Sequence, residues 1–379
     1  SEGEPYYFSS LIHQLRMSFT SLILVFTLFT GLSALINFLF LKWSKTLGTK
    51  NLAPAKELRW SSSYKPAIGG ISFYIIFLFS CLIYLFLNNP EPMAKQELTH
   101  LGVLIVVTLG FFAGLADDAF NTSPWWKLSA QIACGIVMLL FGLRIEFFEN
   151  IYLDSFLTIF WTVAIMNSIN MLDNMDGITA IVSIFILLAA AAGNGLNLSS
   201  NFFYTLICGG TVSALAGFLV FNWHPSKIFM GDTGSQMIGA LLAAIGIIFF
   251  WNNELIGTQH IWYSKLAIVI TAFVIPIADS LTVTINRLRR GQDPFVGGKD
   301  HTTHHLSYAG LSDRQVALVI ISISTLSLTL IRWIYNVENE TKTWHSSVLL
   351  IYSSIVIAFL YSSTLWIKSK RVFESKYSK

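Results

Sequence analysis

Residues 101–121, LGVLIVVTLGFFAGLADDAFN, join a long apolar run to two adjacent acids, Asp117 and Asp118. Such a run predicts a membrane-spanning helix, because the hydrocarbon core of a bilayer excludes side chains that prefer water. A carboxylate at the end of such a helix is costly unless it is paired, hydrated or bound to a metal. The segment therefore predicts a membrane protein with a polar site where its helices end.

The same pattern recurs along the chain. Hydrophobic residues make up 54% of the 379 residues and charged residues only 12%, whereas soluble proteins carry roughly 25% charged residues. About eleven apolar runs predict an all-α, polytopic helical bundle rather than an outer-membrane barrel. The expected spans lie near residues 18–43, 68–87, 101–116, 128–141, 156–169, 178–192, 202–221, 237–251, 266–285, 316–335 and 347–367.

The distribution of positive charge predicts the orientation of these spans. Most of the 24 Lys and Arg residues fall in the odd-numbered loops and the C-terminal tail, which the positive-inside rule places in the cytoplasm. The N-terminus is then outside and the C-terminus is cytoplasmic. The loops are too short for a soluble domain, so residues 1–379 are expected to form one domain that spans the inner (plasma) membrane several times.

Two further acidic segments accompany Asp117 and Asp118. Asp173 and Asp176 lie in NSINMLDNMDG, Asp232 lies in KIFMGDTGS, and the predicted topology puts all five acids on the cytoplasmic face. Oxygen ligands of this kind suit Mg²⁺ or Mn²⁺ and are poor for zinc. Since Mg²⁺ takes only one or two protein carboxylates, some of the acids are expected to bind substrate, transfer protons or cap helices.

Basic and histidine side chains complement these acids. Lys127 begins the fourth span, and the segment NRLRRGQDPFVGGKDHTTHHL contains Arg287, Arg289, Arg290, Asp300, His301, His304 and His305. The arginines would enforce topology, contact anionic lipid or bind a substrate anion. The histidine spacing would also permit zinc, but no cysteine is near, and phosphate contact or proton transfer fits better.

Asp279 is the one acid deep inside a predicted span, three residues after Pro276. The proline predicts a kink, and an acid inside the membrane indicates either a functional group or a cap on the broken helix. Small residues such as Gly70 and Gly234 indicate close backbone approach, either to a ligand or to a neighbouring helix.

The motifs DDAFN, NSINMLDNMDG, FNWHPSKIFMGDTGS and DHTTHHL, in this order between about residues 65 and 312, resemble those of the polyprenyl-phosphate N-acetylhexosamine-1-phosphate transferases. These integral membrane enzymes include phospho-MurNAc-pentapeptide translocase and the GlcNAc-1-phosphate transferases that begin O-antigen, enterobacterial common antigen or teichoic acid synthesis. The resemblance implies transfer of a sugar-1-phosphate from a UDP-N-acetylhexosamine to polyprenyl (undecaprenyl) phosphate, with release of UMP.

The resemblance also implies roles for individual residues. Magnesium would be held by Asp232 and Asn170, and the lipid phosphate would lie near Asp117 and Asp118. The predicted catalytic residues are Asp117, Asp118, Asp173, Asp176 and His301. The predicted substrate-binding residues are Lys127, Asn222, Phe229, His304, His305 and Arg289, of which Asn222 and Phe229 match positions that contact uracil.

The forms DNMDG and DHTTHHL indicate the GlcNAc-1-phosphate branch, which serves lipopolysaccharide and other cell-wall glycans, rather than the MurNAc-pentapeptide branch. An alternative of another class is a membrane transporter of nucleotide sugars or ions, but transporters place charge near the bilayer midplane, where only Asp279 is expected. The expected partners are the two substrates and membrane lipid, with no nucleic acid. A homodimer would form through the spans.

Overall fold

The computed structural model describes residues 19–47, 65–87, 95–193, 201–253, 262–293, 298–336, 343–366 and 371–372. Apart from one isolated β-bridge, all regular elements named in these ranges are helical. In chain order they are α1 (Phe19–Leu47), α2 (Gly69–Leu87), α3 (Lys95–Phe120), α4 (Pro124–Leu140), α5 (Ile151–Leu172), α6 (Ile178–Gly193), α7 (Phe202–Asn222), α8 (Gly231–Gly246, continued by a π-helical turn, Ile247–Trp251), α9 (Trp262–Ala272), α10 (Val274–Arg289), α11 (Thr302–Tyr308), α12 (Asp313–Asn336) and α13 (Thr343–Ser363).

The predicted polytopic all-α bundle is confirmed. Within the described ranges, eight helices are long and apolar enough to cross a membrane, and α9 with α10 forms a ninth, bent candidate. The shorter apolar helices α4 and α6 match the remaining two predicted spans. Residues 18 and 367, at the ends of the first and last predicted spans, lie outside the described residues, as do the basic residues of 48–64 and 373–379. The number of crossings and their orientation stay predictions.

The predicted kink at Pro276 is a break between α9 and α10, where the axis turns by 82°. Helix α9 ends at Ala272, four residues before the proline. A proline ring clashes with the carbonyl group four residues earlier and offers no N–H to it, so the helix ends there. Pro276 itself lies in the first turn of α10, where its missing N–H costs little.

Two helical boundaries differ from the predictions. Helix α8 begins at Gly231 rather than near residue 237, so Asp232 lies in its first turn. Helix α11 is short and largely polar, and hydropathy did not predict it. The first turn of α8 and the whole of α11 lack an apolar signal, and carboxylates from other helices stabilise the N-terminal turn of each.

Helix α8 lies at the centre of the bundle. Every residue from Thr233 to Gly246 is buried, and α8 packs against α2, α3 and α5. The packing is very close: a Cβ atom at Gly70 would lie 2.3 Å from the Gly234 nitrogen, and one at Gly114 would lie 2.1 Å from the Asp232 carbonyl oxygen. These glycines therefore serve helix packing, the second of the two expectations from the sequence.

Replacing Gly114 by alanine is expected to destabilise the protein by about 1–3 kcal/mol, because the added methyl group would overpack the contact with α8. It is also expected to displace Asp232, the predicted magnesium ligand, because the contact is with the backbone carbonyl of that residue. The matched control is Gly31→Ala on α1, where an added Cβ atom meets nothing within 4 Å. The melting temperatures of both variants in detergent test the prediction, and equal values would contradict it.

All five acids lie at one end of the bundle, named here the polar end, where α3, α5 and α7 finish and α4, α6 and α8 begin. Exposed tryptophans surround this end, namely Trp43, Trp125, Trp126, Trp223 and Trp366. Exposed Tyr152, Trp262 and Trp344 lie at the opposite end. Two aromatic belts of this kind are typical of the two membrane–water interfaces, so the acids lie close to one interface.

Candidate active site

The centre of the polar end is a lysine between two carboxylates. Lys127 Nζ lies 2.6 Å from Asp117 Oδ2 and 3.1 Å from Asp232 Oδ2. Ser123 and Pro124 begin α4 and so place Lys127 in its first turn, because serine caps the helix and proline fits its first position. Lys127 and Asp232 are 105 positions apart in the chain. The two contacts of Lys127 bring three predicted site residues together.

Neighbouring side chains fix both carboxylates. Asp117 Oδ1 accepts a 2.9 Å hydrogen bond from the Thr122 backbone and another from the Thr122 hydroxyl. The Asn170 amide donates to Asp232 Oδ1 and, at 2.8 Å, to Ser235 Oγ. The structure thus places Asp232 beside Asn170, the two residues predicted to hold magnesium.

Asp118 has a different role from its neighbour. Its Oδ1 accepts the backbone N–H of Asp232 at 3.0 Å, and its Oδ2 accepts the N–H and the hydroxyl of Thr233 at 2.8 and 2.6 Å. A carboxylate at this position satisfies N–H groups that a helix start leaves without partners and interacts favourably with the helix dipole. Asp118 therefore caps α8 and positions Asp232, while Asp117 contacts Lys127.

This division predicts different results for two matched variants. Asp118→Asn is expected to lower stability by about 1–2 kcal/mol through the weakened cap. Asp117→Asn is expected to lower stability by less than about 1 kcal/mol, since asparagine can still accept from Thr122 and the lost partner, Lys127, is partly exposed to solvent, but to lower kcat by roughly 100-fold. Melting temperature and the UMP release that the family resemblance implies, both measured on the two proteins, provide the test. Equal melting temperatures, or the larger kcat loss in Asp118→Asn, would contradict the division.

The second acidic motif packs against the loop between α7 and α8. Asp176 accepts hydrogen bonds from the backbone and hydroxyl of Ser226 at 3.0 and 2.7 Å. His224 Nδ1 lies 3.0 Å from Asp176 and 3.2 Å from Asp313 at the start of α12. Asp173 lies at the C-terminal cap of α5. His224 was not predicted as a site residue, although it lies inside the quoted FNWHPSKIFMGDTGS motif.

The two residues predicted to contact uracil lie in the same loop region. Asn222 is buried; its Oδ1 accepts from the Gly177 N–H at 2.9 Å and its Nδ2 donates to the Ile228 carbonyl at 2.8 Å. Phe229 lies beneath Lys65, whose Nζ is 5.0 Å from the ring centre. Asn222 therefore holds two site loops together. The contacts of both residues with a base stay predictions.

The arginine cluster separates according to helical spacing. Arg287 forms two bonds with buried Asp300, of 2.9 and 2.6 Å, and Arg290 forms a third of 2.5 Å. Burial alone would raise the pKa of Asp300, but the hydrogen bonds and positive charge of Arg287, together with the charge of Arg290, hold it below its ordinary value. Arg289 points elsewhere, because it bonds the Tyr361 hydroxyl on α13 and is exposed. The structure thus does not place Arg289 with the other predicted site residues.

The three predicted histidines lie at the start and within α11. His301 Nδ1 contacts Asp279 Oδ2 at 2.8 Å, and Thr303 Oγ1 donates to Asn174 of the second acidic motif at 2.7 Å. Burial lowers the pKa of His304 to about 3 and that of His305 to about 4. Both rings are therefore neutral at pH 7, so they would contact a phosphate as hydrogen-bond partners and not as cations.

The donor set at Lys127 suits a hard cation. Two carboxylates converge on the Lys127 ammonium, and the Asn170 side chain lies beside one of them. One or two carboxylates supplemented by neutral oxygen ligands are what Mg²⁺ usually takes from a protein. Among the described residues, no group of three or more His, Cys, Asp or Glu side chains is arranged to hold a metal. The zinc alternative at the histidines thus gains no support.

Comparison with known proteins agrees with these features. Residues 100–250 match the model of glycosyl transferase family 4. A probable undecaprenyl-phosphate N-acetylglucosaminyl 1-phosphate transferase of Bacillus subtilis (strain 168) is 30% identical over 272 residues, 68% of this chain and 70% of the relative.

Two other relatives cover similar shares of the chain. An undecaprenyl-phosphate alpha-N-acetylglucosaminyl 1-phosphate transferase of Escherichia coli O157:H7 is 29% identical over 78% of this chain and 79% of its own. A phospho-N-acetylmuramoyl-pentapeptide-transferase of Streptococcus uberis is 26% identical over 75% of this chain and 87% of its own. The chain therefore belongs to glycosyl transferase family 4, as a multi-pass membrane polyprenyl-phosphate sugar-1-phosphate transferase.

Proposed function

We propose that this protein transfers GlcNAc-1-phosphate from UDP-GlcNAc to undecaprenyl phosphate and releases UMP. The reaction would take place at the cytoplasmic face of the inner membrane, as the first membrane step of a cell-envelope glycan. The observation that carries the proposal is that Asp117, Lys127 and Asp232 converge at the polar end of an apolar bundle, close to a membrane–water interface. A water-soluble sugar nucleotide and the phosphate of a membrane lipid can meet only at the membrane–water interface.

The chemical problem is that two anions must react. A phosphate monoester, with a second pKa near about 6, is mostly dianionic at neutral pH and is already a competent nucleophile. An oxygen of the lipid phosphate attacks the sugar-linked phosphorus; the new P–O bond forms as the bond to UMP breaks, and UMP leaves with the electron pair. Lys127 offsets the negative charge that gathers at this point.

We place the acceptor phosphate at Asp117 rather than Asp118, because both oxygens of Asp118 cap α8. Asp117 lies within 2.6 Å of Lys127, so the pair presents an acid and a cation side by side. Asp117 would orient the lipid phosphate or accept its last proton. His301, with neutral His304 and His305, would supply hydrogen bonds to phosphate oxygens.

Magnesium fits the opposite side of the same cluster. Asp232 and Asn170 would hold the ion, with Asp117 close by and Mn²⁺ as a substitute. Bound there, the ion would reduce repulsion between the diphosphate and the attacking phosphate. The cap from Asp118 and the contact with Gly114 hold the backbone of Asp232, and Lys127 and Asn170 hold its side-chain oxygens, so the proposed ligand would be positioned before an ion binds.

The UDP-sugar would lie along the two loops that Asp176 joins. Asp173 and Asp176 belong to one loop, Phe229 belongs to the other, and Asn222 links both. The motif forms DNMDG and DHTTHHL and two of the relatives above support GlcNAc as the sugar. The relative from Streptococcus uberis makes MurNAc-pentapeptide the second candidate.

The decisive experiment supplies the purified full chain with undecaprenyl phosphate, Mg²⁺ and one of UDP-GlcNAc, UDP-GalNAc or UDP-MurNAc-pentapeptide. Lipid-dependent UMP release with UDP-GlcNAc is expected. Release with another sugar only would overturn the sugar assignment, and release with none would overturn the transferase proposal. A phosphorylated protein trapped without lipid acceptor would instead favour a two-step displacement through an aspartyl phosphate.

A further inference from the structure

Asp279 is completely buried in α10 and contacts the start of α11 with both oxygens. Its Oδ1 accepts the N–H and the hydroxyl of Thr302, at 2.8 and 2.7 Å. Its Oδ2 lies 2.8 Å from Nδ1 of His301. An acid at this depth is costly to maintain, so its contacts indicate what it does.

The contact between Asp279 Oδ2 and His301 Nδ1 indicates which ring nitrogen carries a proton. An ionised carboxylate only accepts hydrogen bonds, so Nδ1 of His301 must be protonated and donate to Asp279. The other ring nitrogen, Nε2, is then the atom left for another partner. A carboxylate that orients a histidine in this way determines both the tautomer and the direction of the ring.

Two further contacts hold α11 on either side of this pair. Asp300, the residue before His301, is bound by Arg287 of α10, while Thr303 bonds Asn174 in the second acidic motif. The segment that contains His301 is thus bonded to α10 on one side and to a loop of the candidate site on the other. Within this frame, only Asp279 contacts the His301 ring through a hydrogen bond among the described residues.

We infer that Asp279 is a positioning residue for the transfer reaction, which holds His301 with its proton on Nδ1 so that Nε2 faces substrate phosphate. This inference rests on the proposed function and extends it to a residue that would not touch substrate. It separates two possible roles of Asp279, since a helix cap alone would act through Thr302 and not through the imidazole.

The chain offers a matched pair of variants. Asp279→Asn keeps an oxygen that can accept from Thr302 but removes the charge that holds the His301 proton. Thr302→Val keeps the shape of the side chain and the Asp279–His301 contact while it removes the hydroxyl from the cap. A pure capping role would predict similar losses in both variants.

The test combines steady-state kinetics with ¹⁵N NMR of histidine-labelled protein in detergent, in which His301→Gln identifies the His301 signal. In the parent protein, His301 is expected to show the Nδ1–H tautomer. Asp279→Asn is expected to shift it toward Nε2–H and to lower kcat by about 10- to 100-fold, with both KM values within about threefold. Thr302→Val is expected to retain kcat within about threefold.

Equal kcat losses in the two variants, or an Nε2–H tautomer in the parent protein, would overturn the inference. The parent tautomer is measured without any variant, so it tests the inference even if Asp279→Asn does not fold. Absence of lipid-dependent UMP release from the parent would count against the proposed function alone.

Discussion

Asp232→Asn is expected to lower lipid-dependent UMP release by roughly 10²- to 10³-fold, the usual cost of losing a central electrostatic group in an active site. The substitution preserves the size of the side chain but removes the charge that faces Lys127 and Asn170. The cap from Asp118 binds the backbone of Asp232, so the helix start should survive. Initial rates measured across a Mg²⁺ titration would show a loss that added Mg²⁺ does not fully restore.

The matched control for this variant is Asp154→Asn. Asp154 is another aspartate in the first turn of a helix; it is buried, whereas Asp232 is partly exposed, and it accepts from the N–H groups of Phe147 and Phe148 at 3.1 and 2.8 Å. It begins α5 at the opposite end from Asn170, about 24 Å away at 1.5 Å per residue, and asparagine can still accept both bonds. The control should retain activity within about threefold. If Asp232→Asn retained as much activity as the control, Asp232 would not be the metal-binding residue.

The second large effect concerns stability. Arg287→Met is expected to destabilise the protein by about 3–5 kcal/mol, because it removes two hydrogen bonds from buried Asp300 and leaves the partly exposed Arg290 to compensate its charge. Both Arg287 and Asp300 are buried and share two hydrogen bonds. Thermal unfolding in detergent at pH 7 would measure the loss. Because the folded protein lowers the pKa of Asp300, the stabilisation is present above the unfolded value of about 3.9 and is lost as the pH falls below it.

Two further variants isolate the cause of this loss. Arg289→Met makes the same substitution on the exposed side of α10 and should change stability by no more than about 0.5 kcal/mol. Arg287→Met combined with Asp300→Leu should recover part of the loss, since it leaves no buried charge without a partner. A melting temperature for Arg287→Met that matches that of Arg289→Met would show that the ion pair contributes little.

The sequence predicted the helical bundle because hydropathy reports directly on burial in lipid. Each apolar run became a helix or a bent pair of helices, and the end of α9 at Ala272 follows from the chemistry of Pro276. The starts of α8 and α11 escaped prediction, because their first turns are polar and depend on Asp118 and Asp279 from elsewhere in the chain. A local pattern cannot report a cap that comes from another helix.

The candidate site shows the same limit. Motif order identified the acids as a group, and the structure brings Asp117, Asn170 and Asp232 together around Lys127. Adjacent Asp117 and Asp118 have the same chemistry, and only the position of α8 determines which of them caps a helix. The separation of Arg289 from the ion pair, by contrast, was available from helical periodicity, since residues 287 and 290 share a face that residue 289 does not.

The complete burial of α8 has a consequence for how the sequence can change. An outer helix can gain or lose a methyl group on its lipid side, because fluid acyl chains rearrange around it. Helix α8 has no such side from Thr233 to Gly246, so each change in side-chain volume must be matched by a neighbouring helix. Hydropathy cannot distinguish this helix from a lipid-facing one. We nevertheless expect α8 to tolerate fewer substitutions than the other spans, and its substitutions to be accompanied by compensating changes in α3 and α5.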